Sequence, residues 1–241
     1  MNQLEGKRVW LTRSDEGNRA WQASVLVSGA KPISLVCLRF QFLTQHADRA
    51  QSQLSGADWV VFSSPRGVQA FAALGLALDP GQRIACVGQA TAEACSIMPK
   101  QPELIAEDAC AAGMAEELLS MEGWQSAALI GAEDSRTELG DLLRAAGKGV
   151  GSCPVYTTIP VTDGLEQVTF EPGDAVFLAS PSALRALQGR CELSPNAVLI
   201  SIGPSTSEAI RAAGLTVAAE SSTRTVQGML AALAQINQPA P

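Results

Sequence analysis

One offset organises this sequence. The run Asp58-Trp59-Val60-Val61-Phe62-Ser63-Ser64-Pro65 returns as Asp174-Ala175-Val176-Phe177-Leu178-Ala179-Ser180-Pro181, 116 positions on (58 to 174). Val87-Gly88-Gln89-Ala90-Thr91-Ala92-Glu93-Ala94 returns as Ile202-Gly203-Pro204-Ser205-Thr206-Ser207-Glu208-Ala209, at 115 (87 to 202). Gly113-Met114-Ala115 returns as Gly228-Met229-Leu230, again at 115 (113 to 228). A fourth block, Ala128-Leu129-Ile130-Gly131-Ala132 with Glu133-Asp134-Ser135-Arg136, has no room for a partner downstream. Its counterpart lies at the other end of the chain, in Arg8-Val9-Trp10-Leu11-Thr12-Arg13-Ser14-Asp15. Internal duplication constrains a fold more than any single motif, because each copy must be one structural unit. One copy is therefore continuous and the other is split around it.

The expected fold class is α/β: two parallel-sheet, three-layer domains, one inserted into the other and joined by a two-stranded β linker. The expected bounds are 1–37 plus 160–241 for the split domain and 41–156 for the inserted one, with linkers near 34–40 and 155–161. Short apolar runs predict strands at 9–12, 33–38, 59–63, 84–87, 127–131, 175–179, 198–202 and 216–219. Helical patterns alternate with them at 65–74, 90–97, 113–121, 136–146, 181–187, 206–213 and 226–236. Strand-helix alternation with near-continuous apolar strands points to parallel sheets covered on both faces. Ser64-Pro65 and Ser180-Pro181 read as N-caps before a first-turn proline, and Gly29, Gly147 and Gly214 as left-handed stops. Two crossings tethering two lobes predict a cleft between them.

Charge narrows the function. The formal net charge is −7 with 24 acidic against 17 basic side chains, which disfavours a nucleic-acid partner or an anionic lipid surface. No stretch approaches the roughly 18 apolar residues of a membrane span, and the first eight residues lack the apolar core of a signal peptide, so a cytoplasmic protein is expected. The six cysteines form no CxxC pair and no zinc spacing; they read as small buried apolar residues, and the single His46 as a surface residue. No metal site is expected. No Walker loop is present, and no G-x-G-x-x-G follows a strand, which leaves nucleotide cofactors without their usual support.

In open parallel sheets ligands bind beyond the carboxyl ends of the strands. The repeated loops fall there: Ser63-Ser64-Pro65-Arg66, Gly88-Gln89-Ala90-Thr91, Ser180-Pro181-Ser182 and Gly203-Pro204-Ser205-Thr206. Each offers hydroxyls and the free N–H groups of a helix start, which suit carboxylates or phosphates. Arg13 and Arg136 add a guanidinium from each domain, able to hold a carboxylate bidentately. A Ser or Thr before a helix can equally be a cap and nothing more. The only tyrosine, Tyr156, falls at an expected crossing, where its hydroxyl could serve as a weak acid or simply pack.

Taken in order, Val9-Trp10-Leu11-Thr12-Arg13, Val61-Phe62-Ser63-Ser64-Pro65-Arg66-Gly67-Val68, Val87-Gly88-Gln89-Ala90-Thr91, Pro154-Val155-Tyr156-Thr157 and Ile202-Gly203-Pro204-Ser205-Thr206 resemble the uroporphyrinogen-III synthase pattern. The likeness runs from about residue 9 to about residue 233. The resemblance implies two α/β domains, one inserted in the other, and a reaction without metal or organic cofactor. It implies hydroxymethylbilane as substrate, closed to uroporphyrinogen III with inversion of the terminal ring through a spiro intermediate and loss of water. It also implies a possible transient hand-over from hydroxymethylbilane synthase. Carried over by position, Tyr156 matches the tyrosine proposed to assist hydroxyl departure. Ser63, Ser64, Thr91, Ser180, Ser205 and Thr206 match cleft positions, Thr225 a threonine before the last helix, and Arg13 and Arg136 basic positions; Ser182 and Gly203, in the same repeated loops, are further expected substrate-binding residues. Ser63 stands where the family commonly has Thr, and Ala179 removes a possible hydroxyl. A monomer is expected. The alternative reading is a cytosolic two-lobe binding protein for an anionic small molecule.

Overall fold

The computed structural model describes residues 3–161, 168–191, 193 and 197–236. The chain forms two compact units, Met1–Arg39 with Ile159–Pro241, and Phe40–Thr158. The strands are β1 (Arg8–Leu11), β2 (Lys31–Ser34), β3 (Leu38–Phe42), β4 (Trp59–Phe62), β5 (Arg83–Cys86), β6 (Leu104–Ile105), β7 (Ser126–Ala132), β8 (Gly149–Pro160), β9 (Ala175–Leu178), β10 (Val198–Ser201) and β11 (Ala219–Glu220). The helices are α1 (Asp15–Val27), α2 (Ala47–Leu54), α3 (Pro65–Ala73), α4 (Gln89–Ala94), α5 (Ala111–Ser120), α6 (Glu138–Ala145), α7 (Pro181–Gln188), α8 (Pro204–Ala212) and α9 (Val226–Ile236).

In the split unit the sheet order is β11-β10-β9-β1-β2, and every pairing is parallel. Alternation along the strands divides its apolar residues between two faces. Val9, Leu11, Phe177 and Ile200 pack under α1 and α9, with Val25, Met229 and Leu233. Trp10, Val176, Leu178 and Leu199 pack under α7 and α8, with Leu184, Leu187 and Ile210. Strands covered on both faces must be apolar throughout, which is why AVFL and WVVF read as continuous runs.

The continuous unit carries the order β3-β8-β7-β4-β5-β6. One face holds Val60, Phe62, Ile84 and Ile130 against Val68 and Phe71 of α3 and Leu54 of α2. The other holds Trp59, Val61 and Ala85 against Met114 and Leu118 of α5 and Leu143 of α6. The order β6-β5-β4-β7-β8 here corresponds strand for strand to β11-β10-β9-β1-β2. The register makes the duplication concrete: Val61 pairs with Leu129 as Phe177 pairs with Leu11. Repeat-equivalent aspartates do equivalent work. Asp58 Oδ2 accepts from the backbone N–H of Gln125 (2.7 Å) and Ser126 (2.9 Å), while Asp174 Oδ2 accepts from Trp10 Nε1 (2.8 Å) and Glu171 N (2.9 Å). Each ties the start of a central strand to its neighbour.

Several elements differ from the sequence reading. The run 33–38 is two strands, broken at residues 35–37, although Leu35 N and Cys37 N still donate to Leu11 O and Arg13 O. The run 216–219 becomes a two-residue edge strand at Ala219–Glu220. Helix α6 starts at Glu138, so Arg136 stands in the turn before it. Helix α2 was not anticipated: only Ala50 and Leu54 of its eight residues are buried, too narrow an apolar stripe to declare itself. His46 is half-buried rather than on the surface. Cys110 is exposed and Cys191 half-buried, against the expectation of buried cysteines, whereas Cys37, Cys86, Cys95 and Cys153 are buried. Cys110 accepts from Gly113 N at 3.3 Å, as the N-cap of α5.

Candidate functional site

Because the strands run parallel, the loops after β4, β5 and β7 all leave from one edge of the sheet of the continuous unit. Ser64 is the N-cap of α3: its extended backbone (φ −160°, ψ 154°) turns the hydroxyl onto Gly67 N–H at 3.2 Å, and Pro65 follows where no N–H is needed. Ser63, one residue earlier, is exposed and donates to Ile130 O at 3.3 Å. Next to them Tyr156 is buried on β8, where a register shift between Gly131 and Ala132 displaces the ladder. Its hydroxyl lies 3.2 Å from Ser64 Oγ, and Phe40 meets its ring edge-on at 6.1 Å with 77° between planes.

A cavity of about 210 Å³ opens within the same unit; of these residues Ser63 lines it, and Ser64 and Tyr156 do not. Ser63, Ser135, Arg136 and Thr137 line it, and Leu139 and Leu129 form its apolar wall. Gly131 is its close-approach point: a Cβ there would stand 2.8 Å from Ser135 Oγ and 3.0 Å from Ser63 Oγ. Two hydroxyls therefore converge over a residue with no side chain. Burial pushes the Cys153 thiol up to about 11, so it lines the cavity in its neutral form. Glu133 and Arg144 also line it, so hydroxyls, two guanidiniums and one carboxylate surround an apolar wall, a net positive lining that suits a carboxylate on a short alkyl arm.

In the split unit Ser180 caps α7 by accepting from Ala183 N at 3.2 Å, and its Oγ lies 2.9 Å from that of Ser182. Arg13, half-buried after β1, lies over Trp21 (4.3 Å to the ring centroid) and donates through Nη1 to Gly17 O at 3.1 Å. Gly203 is buried at the cap of α8, while Ser205, in the first turn of that helix, is exposed. Thr225 is exposed and accepts from Gly228 N at 3.1 Å, at the start of α9.

Two predicted hydroxyl residues face inward. Thr91 is buried and donates to Val87 O at 3.3 Å. Thr206 is buried on α8. Both sit inside their helices rather than at the caps, so their side chains turn toward the protein. Ser135, Thr137, Gly131 and Phe40 escaped the sequence reading. The serine and threonine flank Arg136 and could have been found by treating the whole loop as a unit; the other two carry no polar signal.

The family model described as uroporphyrinogen-III synthase HemD matches residues 20–231 of this chain. The chain belongs to the uroporphyrinogen-III synthase family. It is thus a lyase of porphyrin and tetrapyrrole biosynthesis. Solved uroporphyrinogen-III synthases share its fold. A mutant enzyme from Thermus thermophilus is 18% identical, with 96% of this chain and 98% of that one covered and a TM-score of 0.59. The Helicobacter pylori enzyme is 14% identical, with 94% and 97% covered and a TM-score of 0.63. No described helix is long and apolar enough to cross a membrane.

Proposed function

We propose that this synthase takes hydroxymethylbilane as substrate and uses Tyr156 as the acid that releases its hydroxyl. Tyr156 passes its proton to the departing oxygen as the C–O bond breaks, and water leaves. The adjacent pyrrole nitrogen supplies the electron pair, and its N–H proton returns to the phenolate, leaving a neutral azafulvene. The substituted carbon of the last ring attacks the exposed methylene and forms the spiro intermediate. The older bridge bond at that carbon then breaks, the bridge rejoins at the ring's unsubstituted position, and the proton lost from that position restores the N–H that the first pyrrole gave up. Substrate equals product plus one water, so the sequence needs no oxidant, reductant or cofactor.

The observation that carries this reading is the Tyr156 hydroxyl held on Ser64, one residue after Ser63, which lines a polar-rimmed cavity of the same unit. Ser63 and Arg136 are assigned to substrate carboxylates in the continuous unit, with Ser135 and Thr137. Arg13, Ser180, Ser182, Gly203, Ser205 and Thr225 are assigned to the same task in the split unit. Thr91 and Thr206 shape their loops from within. Enzyme control of such a reaction lies mainly in positioning, since a free azafulvene closes without inversion. The protein is read as a cytoplasmic monomer that receives substrate from hydroxymethylbilane synthase.

The test is a coupled assay in which that synthase generates hydroxymethylbilane and the oxidised porphyrin isomers are separated. A shift from isomer I to isomer III on adding the protein supports the reading; isomer I alone, from folded protein, overturns it.

A further inference from the structure

The two repeats solve the same capping problem with different neighbours. In each, a serine before proline caps a helix through its Oγ, Ser64 on α3 and Ser180 on α7. Two positions after Ser180 stands Ser182, whose hydroxyl lies 2.9 Å away and satisfies it locally. The repeat-equivalent of Ser182 is Arg66, which offers no acceptor. Arg66 instead stacks over Phe40, 3.1 Å from guanidinium carbon to ring centroid, and Phe40 meets Tyr156 edge-on. Ser64 Oγ thus has Tyr156 Oη at 3.2 Å where Ser180 has a second serine.

A serine hydroxyl has two lone pairs and one hydrogen. Gly67 N–H uses one lone pair of Ser64. The phenol is fixed independently: its ring is buried in the apolar cluster, and its backbone carbonyl accepts from Glu133 N at 2.8 Å. We propose that Ser64 is a positioning residue for Tyr156, its helix-anchored hydroxyl donating to the phenol oxygen so that the phenol hydrogen is left pointing at the ligand. Ser64 then need not touch substrate. Its contribution appears in the step that Tyr156 performs and not in binding. This role rests on the reading of Tyr156 as the acid.

The test uses the full chain and the isomer-III rate in the coupled assay. Glycine caps a helix nearly as well as serine, so Ser64→Gly removes the hydroxyl while leaving α3 intact, and circular dichroism checks that it does. The expected result is a fall in kcat of about 10-fold with KM unchanged, smaller than the roughly 100- to 10,000-fold that a positioned acid itself contributes. Ser64→Thr, which keeps both cap and hydroxyl, is expected to restore it. In a Tyr156→Phe background, Ser64→Gly is expected to produce no further loss. An unchanged kcat in Ser64→Gly, a rise in KM alone, or an equal loss in both backgrounds would each overturn the role of Ser64 while leaving the synthase reading in place. Wild-type protein that yields only isomer I would remove both.

Discussion

Replacing Gly228 by alanine sets two effects of opposite sign against each other. Gly228 lies in the first turn of α9, and helix propensity alone favours alanine by up to about 1 kcal/mol. The loop before the helix reverses the sign. An added Cβ would fall 2.9 Å from Thr223 O and closer still to the hydroxyls of Ser221 and Thr223. Ser221 is buried and its hydroxyl donates to Thr223 O, so it cannot swing aside without losing that bond, worth about 1 kcal/mol. Moving the loop also strains the Thr225 cap on Gly228 N, worth about 1 kcal/mol, and overpacking itself costs about 1–3 kcal/mol. The net expectation is a loss of about 2 kcal/mol, read as a fall in Tm of about 6 °C. Amide exchange should locate the loosening in α9 and β10. Gly81, exposed and with nothing within 4 Å of an added Cβ, serves as the control and should change stability by less than about 0.5 kcal/mol. A Gly228→Ala protein as stable as the parent, or more so, would refute the steric argument and leave propensity as the governing effect.

Gly131→Ala should place a methyl group between the Ser63 and Ser135 hydroxyls and lower the isomer-III rate about 10-fold, chiefly through KM; unchanged kinetics would remove the cavity from the substrate site. Amide donors from Gln125 and Ser126 hold the Asp58 carboxyl below its usual range. That stabilisation is present above the unfolded value of about 3.9 and is lost as pH falls through the folded value, so Asp58→Asn should flatten the acid limb of stability below about pH 4. Urea titrations at pH 3 and pH 6 would show the difference, and parallel losses in both proteins would contradict it. Burial pushes Cys37 up to about 12 and Cys153 up to about 11, so iodoacetamide at pH 8 should label exposed Cys110 first; early labelling of Cys37 or Cys153 in native protein would contradict the packing described.

The sheets were legible because buried parallel strands must be apolar along their whole length, and turns between them must end in caps. WVVF and AVFL declare themselves in this way, and Ser64-Pro65 and Ser180-Pro181 mark both helix starts correctly. Elements that bury little were not legible: α2 shows two buried residues, and the edge strands β6 and β11 span two residues each. At the site, cap residues could be found from local chemistry, since the hydroxyl and the amide it serves lie three positions apart. The pairing of Ser64 with Tyr156 spans 92 positions and needs the register of β7 on β8. The inward turn of Thr91 and Thr206 was equally hidden, because the caps are Gly88 and Gly203 and each threonine falls three positions further on, inside its helix.

Duplication explains why the frame is symmetric and the chemistry is not. What both units need to fold is repeated: the strand order, the paired serine caps, and the aspartates Asp58 and Asp174 that anchor neighbouring strands. Two of the differences stand at the carboxyl ends of matching strands. Extending the matched registers of β1 with β9 and β7 with β4 by two residues sets Arg13 opposite Gly131, a stacked guanidinium in one unit and a missing side chain in the other. The same alignment sets Ser182 against Arg66, and there the exchange redirects a capping hydroxyl from a serine to a phenol. A sheet edge tolerates such exchanges because its loops bury little of the core, so the stability of each unit constrains them weakly. Residue-by-residue differences between the repeats at these loops therefore separate what each unit needs to fold from what it is free to vary.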